Sequence, residues 1–328
     1  MQYRSVGRTG IQVSVLSFGA GPVPAVMTAG DPSRQRAVVA RALEAGINWF
    51  DTAAGYGAGE SELALGRAIR ELDAASRVHV ATKVRLGDAD LGDIPAAVRR
   101  SLAGSLERLG LARVTLLQLH NSITAGRGNE PTSITPDDVL GPRGVLAAFE
   151  ELRRDGLALH LGLTALGQPV ALRTVLESGS FATIQIPFNL LNRSAGVVVS
   201  GRFPEANYGN LIDDCRRREI GVFAIRVFAG GALVGLPPSA HTRQTKFFPL
   251  DLYQRDLQRA ARLRESLSGR TELADAAVRF VLGQAGVSSA LIGFSEPSQV
   301  DAAVRAMEQG PLPGDLLDIL QRAAISDS

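Results

Sequence analysis

Val78-His79-Val80-Ala81-Thr82-Lys83-Val84 is a short apolar run that closes on a lysine. It lacks the polar–apolar alternation of a half-exposed strand, so it reads as a parallel strand buried on both faces. Comparable runs recur along the chain, at Val13–Phe18, Asn48–Asp51, Thr115–His120, Ala158–Thr164, Thr183–Pro187, Gly221–Arg226 and Ser289–Phe294. Helical patterns follow them, near 32–46, 60–71, 92–109, 143–155, 168–178, 205–218, 272–285 and 296–309. Asp31-Pro32 is a helix start, and Gly46, Gly110 and Gly179 are stops. Eight strand–helix units without a Pro/Gly/Ser-rich linker predict an α/β fold, one (β/α)8 TIM barrel spanning 1–328 as a single domain. Residues 2–13 predict a hairpin that turns at Gly7-Arg8-Thr9-Gly10 and closes the barrel bottom. Extra C-terminal helices are expected near 251–268 and 312–325. Long loops at 121–141 and 229–250 leave from strand C-termini and should overhang the mouth.

The rest of the composition excludes several classes. The net charge is +2 and the pI about 9.0, with the charges interspersed. Arg216-Arg217-Arg218 reads as a solvated helix face, so no nucleic-acid partner is expected. Cys215 is the one cysteine, which rules out an internal disulfide framework. The start lacks a signal-peptide core and no apolar run approaches a membrane span, so a cytoplasmic protein without a membrane partner is expected. His79, His160 and His241 lack metal-ligand spacing, and no metal is expected. Gly55-Tyr-Gly57-Ala-Gly59-Glu60 fails as a dinucleotide fingerprint because Glu60 stands where the last glycine is required.

Lysine is scarce: only Lys83 and Lys246 occur, and every other Lys/Arg cation is arginine. A lysine retained at a strand end suggests chemistry that a guanidinium cannot perform. Asp51, Tyr56, Lys83 and His120 all fall at or just past the C-terminal ends of successive strands, where barrel active sites lie. A phenol is a poor acid–base group at neutral pH, but an adjacent ammonium favours its phenolate. Asp51 would hold that ammonium in place, and His120 would donate a hydrogen bond to a carbonyl oxygen or relay a proton. Such a set suits hydride transfer between a carbonyl/alcohol pair and a nicotinamide. Taken singly, each residue also has a structural reading: a cap, a packed ring, a core histidine, an ion pair.

The motif Asp51-Thr-Ala-x-x-Tyr56-Gly-x-Gly-x-Ser61-Glu62-x-x-Leu65-Gly66, with Thr82-Lys83 and Leu119-His120, resembles the aldo-keto reductase superfamily. The opening Tyr3-Arg-x-x-Gly-Arg-Thr-Gly and the late Leu291-Ile-Gly-Phe-Ser-Glu-Pro-Ser-Gln299 are similar too. The resemblance implies bound NADP(H), with Tyr56 as general acid, Lys83 and Asp51 behind it, and His120 orienting the carbonyl. It also implies Thr164 and Gln185 as nicotinamide carboxamide contacts, and Gly293, Ser295 and Gln299 at the adenosine phosphate.

The chain departs from the family pattern in three places. Thr164-Ala165 replaces a common Ser-Asn. Ile225-Arg226-Val227-Phe228 replaces an aromatic–Ser-Pro-Leu, which puts Arg226 in reach of the pyrophosphate. Glu296 stands where a basic or amide residue commonly holds the 2′-phosphate, so NAD(H) becomes possible. Trp49 and Asn121 are candidates for the substrate pocket. Asn121, Ser122, Thr124 and Arg127 would suit a sugar, whereas Phe228, Phe247 and Phe248 would suit an apolar substrate. Two other functions stay open: a cofactor-binding, redox-sensing regulatory subunit, and a non-redox lyase or isomerase using the same Tyr/Lys pair.

Overall fold

The computed structural model describes residues 1–199, 203, 205–245 and 248–325. Two short strands, β1 (Tyr3–Ser5) and β2 (Gln12–Ser14), pair antiparallel as a hairpin. Eight parallel strands follow: β3 (Leu16–Gly19), β4 (Trp49–Asp51), β5 (His79–Val84), β6 (Val114–Leu119), β7 (Ala158–Thr164), β8 (Thr183–Pro187), β9 (Gly221–Ile225) and β10 (Val287–Gly293). They close as a barrel in the order β10-β3-β4-β5-β6-β7-β8-β9. Each strand leads to the next through at least one helix, as the right-handed crossover of parallel strands requires.

Strand alternation sorts the side chains. Phe50, Val80, Leu117, Leu163 and Ile184 face the helices and join the main core. Trp49, Ala81, Leu116 and Phe223 point inward and form a separate layer with Val6 and Val13 of the hairpin. The hairpin therefore plugs the bottom, as its sequence predicts. Gly7 makes this close docking possible. Its φ is 48°, and a Cβ there would fall 2.3 Å from the Glu219 carbonyl oxygen and 2.4 Å from the Gly221 nitrogen. Above the apolar layer, the same inward register carries Asp51, Lys83, Gln118 and Gln185 toward the C-terminal mouth.

The structure corrects several boundaries. The expected first strand is two: Ser14 pairs with Tyr3 in the hairpin, the chain breaks at Val15, and only Leu16–Gly19 enters the barrel. The helix expected over 205–218 is only Leu211–Arg217, because Gly209 and Asn210 take φ values of 56° and 60°, a left-handed turn that ends helical continuity. Both long loops contain helix. Pro136–Leu140 starts with a reciprocal Thr135–Asp138 capping box, and Ala240–Gln244 starts on Ser239. The extra helices Leu250–Leu267 and Gly314–Ile325 pack together in a second apolar cluster with Leu190, Leu191 and Leu233. Among the described residues, no helix is long and apolar enough to cross a membrane. Phe247 lies outside the described residues.

Candidate active site

Asp51 ends β4 and Lys83 stands one residue before the end of β5, both almost fully buried. The Lys83 ammonium makes three directed contacts: to Asp51 Oδ1, to the Thr52 carbonyl at 2.9 Å, and to Tyr56 Oη at 3.2 Å. Asp51 Oδ2 accepts from Gln118 Nε2 at 2.9 Å and from Gln185 Nε2 at 2.5 Å. Burial pulls the Lys83 ammonium down, but the Asp51 charge and the Tyr56 oxygen outweigh it and raise its pKa above the ordinary lysine value. Lys83 is therefore a cation throughout the neutral range.

Tyr56 opens a one-turn 3-10 segment, Tyr56–Gly59, in which Gly57 and Ala58 take positive φ. This tight reversal swings the half-buried ring back over the mouth beside Gly21. His120 directly follows β6, and its amide donates to the Val84 carbonyl at 2.8 Å. The two rings meet edge to face, with centroids 5.6 Å apart and planes at 84°. Burial, then the Arg85 and Lys83 charges, hold the His120 imidazole well below the usual histidine range. The ring is neutral at working pH and can donate one N–H. Asp51, Tyr56, Lys83 and His120 are thus brought to one end of the barrel.

The other candidates divide. Thr164 ends β7 and pairs in register with Gln185 on β8. Its Oγ1 is buried without a hydrogen-bond partner, which is the vacancy in polar pairing that a carboxamide group would fill. The residues here fit a nicotinamide in that respect, although the Gln185 amide nitrogen is committed to Asp51. Arg226 follows β9 with φ 57°, and its guanidinium lies over the Phe248 ring at 3.5 Å. Gly293 ends β10, and a Cβ there would fall 2.5 Å from the Val23 carbonyl oxygen. Beyond it, Ser295 donates its backbone N–H to Gln299 Oε1 at 2.7 Å, so the side chain of Gln299 occupies a helix-opening donor expected to face phosphate. Glu296 is ion-paired with Arg34, whose Nε also donates to the Ser295 carbonyl at 3.0 Å.

Two expectations fail on geometry. Trp49 begins β4 and stacks on Phe223 at 4.5 Å within the lower apolar layer, below the mouth rather than in a substrate pocket. Asn121 is fully buried and holds loops together: Oδ1 accepts from the Leu86 amide at 2.9 Å, and Nδ2 donates to the Leu86 and Thr132 carbonyls. Ser122 and Thr124 are buried with it, and Arg127 is clamped by Asp138. Asn121, Thr124 and Arg127 are thus committed to the loop's own structure.

Sequence reasoning missed Gln118, Arg85 and Arg34. Gln118 had a readable signal: it is the lone amide in an apolar strand, two positions before His120 and so on the same face. Arg85, two positions past Lys83, donates Nε and Nη2 to the His120 carbonyl at 3.2 and 3.1 Å. Arg34 carried no local signal, because its partner lies at the far end of the chain.

The sequence profile of the Aldo/keto reductase family matches residues 15–325. L-galactose dehydrogenase of Arabidopsis thaliana is 27% identical over 312 residues, covering 94% of this chain and 89% of that one. D-threo-aldose 1-dehydrogenase of a Pseudomonas species is 27% identical over 319 residues, with 89% and 88% covered. The holo form of the aldo-keto reductase AKR11C1 from Bacillus halodurans shares the fold, with a TM-score of 0.72, 23% identity and 98% and 96% covered. A barrel mouth with this buried lysine and a profile match along nearly the whole chain lead to one conclusion: the chain belongs to the aldo/keto reductase family and is a nicotinamide-dependent oxidoreductase that interconverts carbonyls and alcohols.

Proposed function

We propose that Tyr56 is the general acid/base of this reaction, with Lys83, Asp51 and His120 as its catalytic partners. The observation that carries this reading is the Lys83 ammonium held between Asp51 and Tyr56 Oη at 3.2 Å. In reduction, the Tyr56 hydroxyl gives its proton to the carbonyl oxygen, and the adjacent ammonium stabilises the oxygen left behind. Neutral His120 donates a hydrogen bond to the same substrate oxygen without adding a competing cation. In alcohol oxidation the tyrosine oxygen takes the proton back. A bound nicotinamide dinucleotide supplies or accepts the hydride. Thr164 and Gln185 would hold its carboxamide, Arg226 its pyrophosphate, and Gly293, Ser295, Glu296 and Gln299 its adenosine end.

NAD(H) is our reading of the cofactor. The Glu296 carboxylate can accept from a ribose diol, and by pairing with Arg34 it offsets the positive charge that would otherwise attract a 2′-phosphate. Separate titrations with NADH and NADPH test it, and NADPH binding about tenfold more tightly would reverse the assignment. The substrate is read as a sugar or similar polyhydroxylated carbonyl, on the support of the aldose and galactose dehydrogenases to which the chain is similar. A cytoplasmic setting suits its single, buried free thiol. The deciding assay follows nicotinamide absorbance against sugars, aldehydes, ketones and alcohols, with Tyr56→Phe alongside. Turnover that collapses in Tyr56→Phe supports the assignment, and turnover that survives removes Tyr56 from the mechanism.

A further inference from the structure

Ser61-Glu62, carried within the motif around Tyr56, has no part in the chemistry above. Glu62 lies in the first turn of the helix Glu60–Glu71, immediately after the Tyr56 turn, and is fully buried. Its Oε1 accepts from Thr82 Oγ1, on the residue beside Lys83 in β5. Its Oε2 accepts from Arg108 Nε at 2.7 Å, from the neighbouring helix Ile94–Leu109. The Arg108 chain passes directly under Gly59, where a Cβ would fall 2.7 Å from Arg108 Cδ. Ser61 makes a parallel link to the adjacent strands: its Oγ donates to the Ala20 carbonyl at 2.6 Å and lies 2.7 Å from Thr52 Oγ1. Thr52 in turn offers its carbonyl to Lys83 Nζ at 2.9 Å.

A carboxylate without solvent contact and paired with an arginine has one low-energy placement, because any displacement strands a charge in the interior. This one fastens the exit of the Tyr56 turn to the strand that carries Lys83. Its counter-ion supports the same turn from below. We propose that Glu62 and Arg108 are positioning residues that fix the Tyr56 hydroxyl within hydrogen-bond distance of the Lys83 ammonium. The inference rests on Tyr56 being the acid/base. A turn that shifts by about 1 Å misplaces the proton donor and lowers the chemical step while leaving cofactor contacts alone.

The test is Arg108→Met, which keeps the aliphatic chain under Gly59 and removes the charge. Arg108→Lys serves as the conservative variant, and Val175→Ala, in the helix Pro169–Glu177, as a remote destabilised control. The expected result is a fall in kcat of about 10- to 100-fold with unchanged cofactor affinity, partial recovery in Arg108→Lys, and no fall in Val175→Ala. Wild-type kcat in folded Arg108→Met overturns the proposal. So does a loss in Arg108→Met that only tracks its folded fraction, with kcat per folded molecule unchanged as in the control. Should Arg108→Met not fold, Thr82→Val removes just the hydroxyl contact to Glu62. A lowered kcat at full cofactor binding then supports the strut, and unchanged kcat overturns it. Tyr56→Phe separates the two readings: if it stays active, the acid/base assignment is at fault whatever Arg108 does.

Discussion

Replacing Lys83 by Met removes a charge from the centre of the site at nearly constant volume, and its consequences can be sized from the geometry. Lys83 Nζ lies 3.2 Å from Tyr56 Oη. A unit charge at that separation, with an effective dielectric of about 20, stabilises a full phenolate by about 5 kcal/mol. The transition state carries only part of that negative charge, so about half, roughly 2.5 kcal/mol, is lost from the chemical step, or about 70-fold in rate. The fold should tolerate the change in part, because Asp51 keeps the amide donors of Gln118 and Gln185. Leaving a buried carboxylate without its cation still costs about 3–5 kcal/mol of stability. The assay is single-turnover nicotinamide absorbance at saturating cofactor, with cofactor affinity measured separately. A folded Lys83→Met protein that binds cofactor and keeps its rate within about threefold would refute the reasoning, since a loss that small is under 1 kcal/mol. Thermodynamics gives an independent readout. The folded Lys83 pKa is raised, so its stabilisation is complete below the unfolded value of 10.5 and is lost as pH rises through the higher folded value. Lys83→Met should flatten that alkaline decline.

Three further outcomes are expected. His120 has a lowered folded pKa, so the unfolded state binds a proton that the folded state refuses; stability falls as pH drops below about 6.5, with a limiting slope of about 1.4 kcal/mol per pH unit, and His120→Asn should remove that increment in urea titrations across pH 5 to 7. Gly293→Ala places a methyl group 2.5 Å from the Val23 carbonyl oxygen, where the obstacle is backbone, so it should lower the melting temperature and weaken cofactor binding together; a neutral outcome in both would show that the Val23–Pro24 loop yields freely. The Cys215 thiol is pushed up to about 12 by burial, so an aromatic disulfide reagent should react only after denaturant is added; rapid labelling of native protein would contradict that placement.

The barrel was legible because its strands are buried on both faces and its helices are punctuated by glycine and proline, both local properties of the chain. The bottom plug was legible from the Gly7-to-Gly10 turn. The break at Val15 was not, because β2 and β3 are each too short to show a period of their own. The start of the helix near 205–218 was not legible, because positive φ at Gly209 and Asn210 decides the path there. At the site, the residues brought to the mouth share a strand-end position, and position is readable. What each side chain touches is not. Trp49 and Asp51 sit two residues apart on one face of β4, yet the first packs against the hairpin plug and the second faces the mouth, because depth along the barrel axis depends on strand stagger. Arg34 and Glu296 meet only through closure of β10 onto β3, a contact that no local pattern encodes.

The scarcity of lysine and the geometry of Lys83 have one physical explanation. An ammonium presents three donors from a single atom, and here that atom reaches Asp51 Oδ1, the Thr52 carbonyl and Tyr56 Oη together. The three acceptors come from the end of β4, its outgoing chain and the turn beyond it, and they surround a point. A guanidinium spreads its five donors over a plane, so it can satisfy a carboxylate edge but not three acceptors converging from different elements. The bulkier plane would also crowd the Tyr56 turn, which has little room to yield because its Gly59 already packs on the Arg108 chain. Elsewhere arginine serves: on the surface, in the clamp on Asp138, and under the Tyr56 turn beside Glu62, where a fork meets one carboxylate. Lys83→Arg should therefore resemble Lys83→Met in rate even though it preserves the charge. An arginine variant that recovered most of the activity would mean that charge alone, and not its confinement to one atom, is what the site requires.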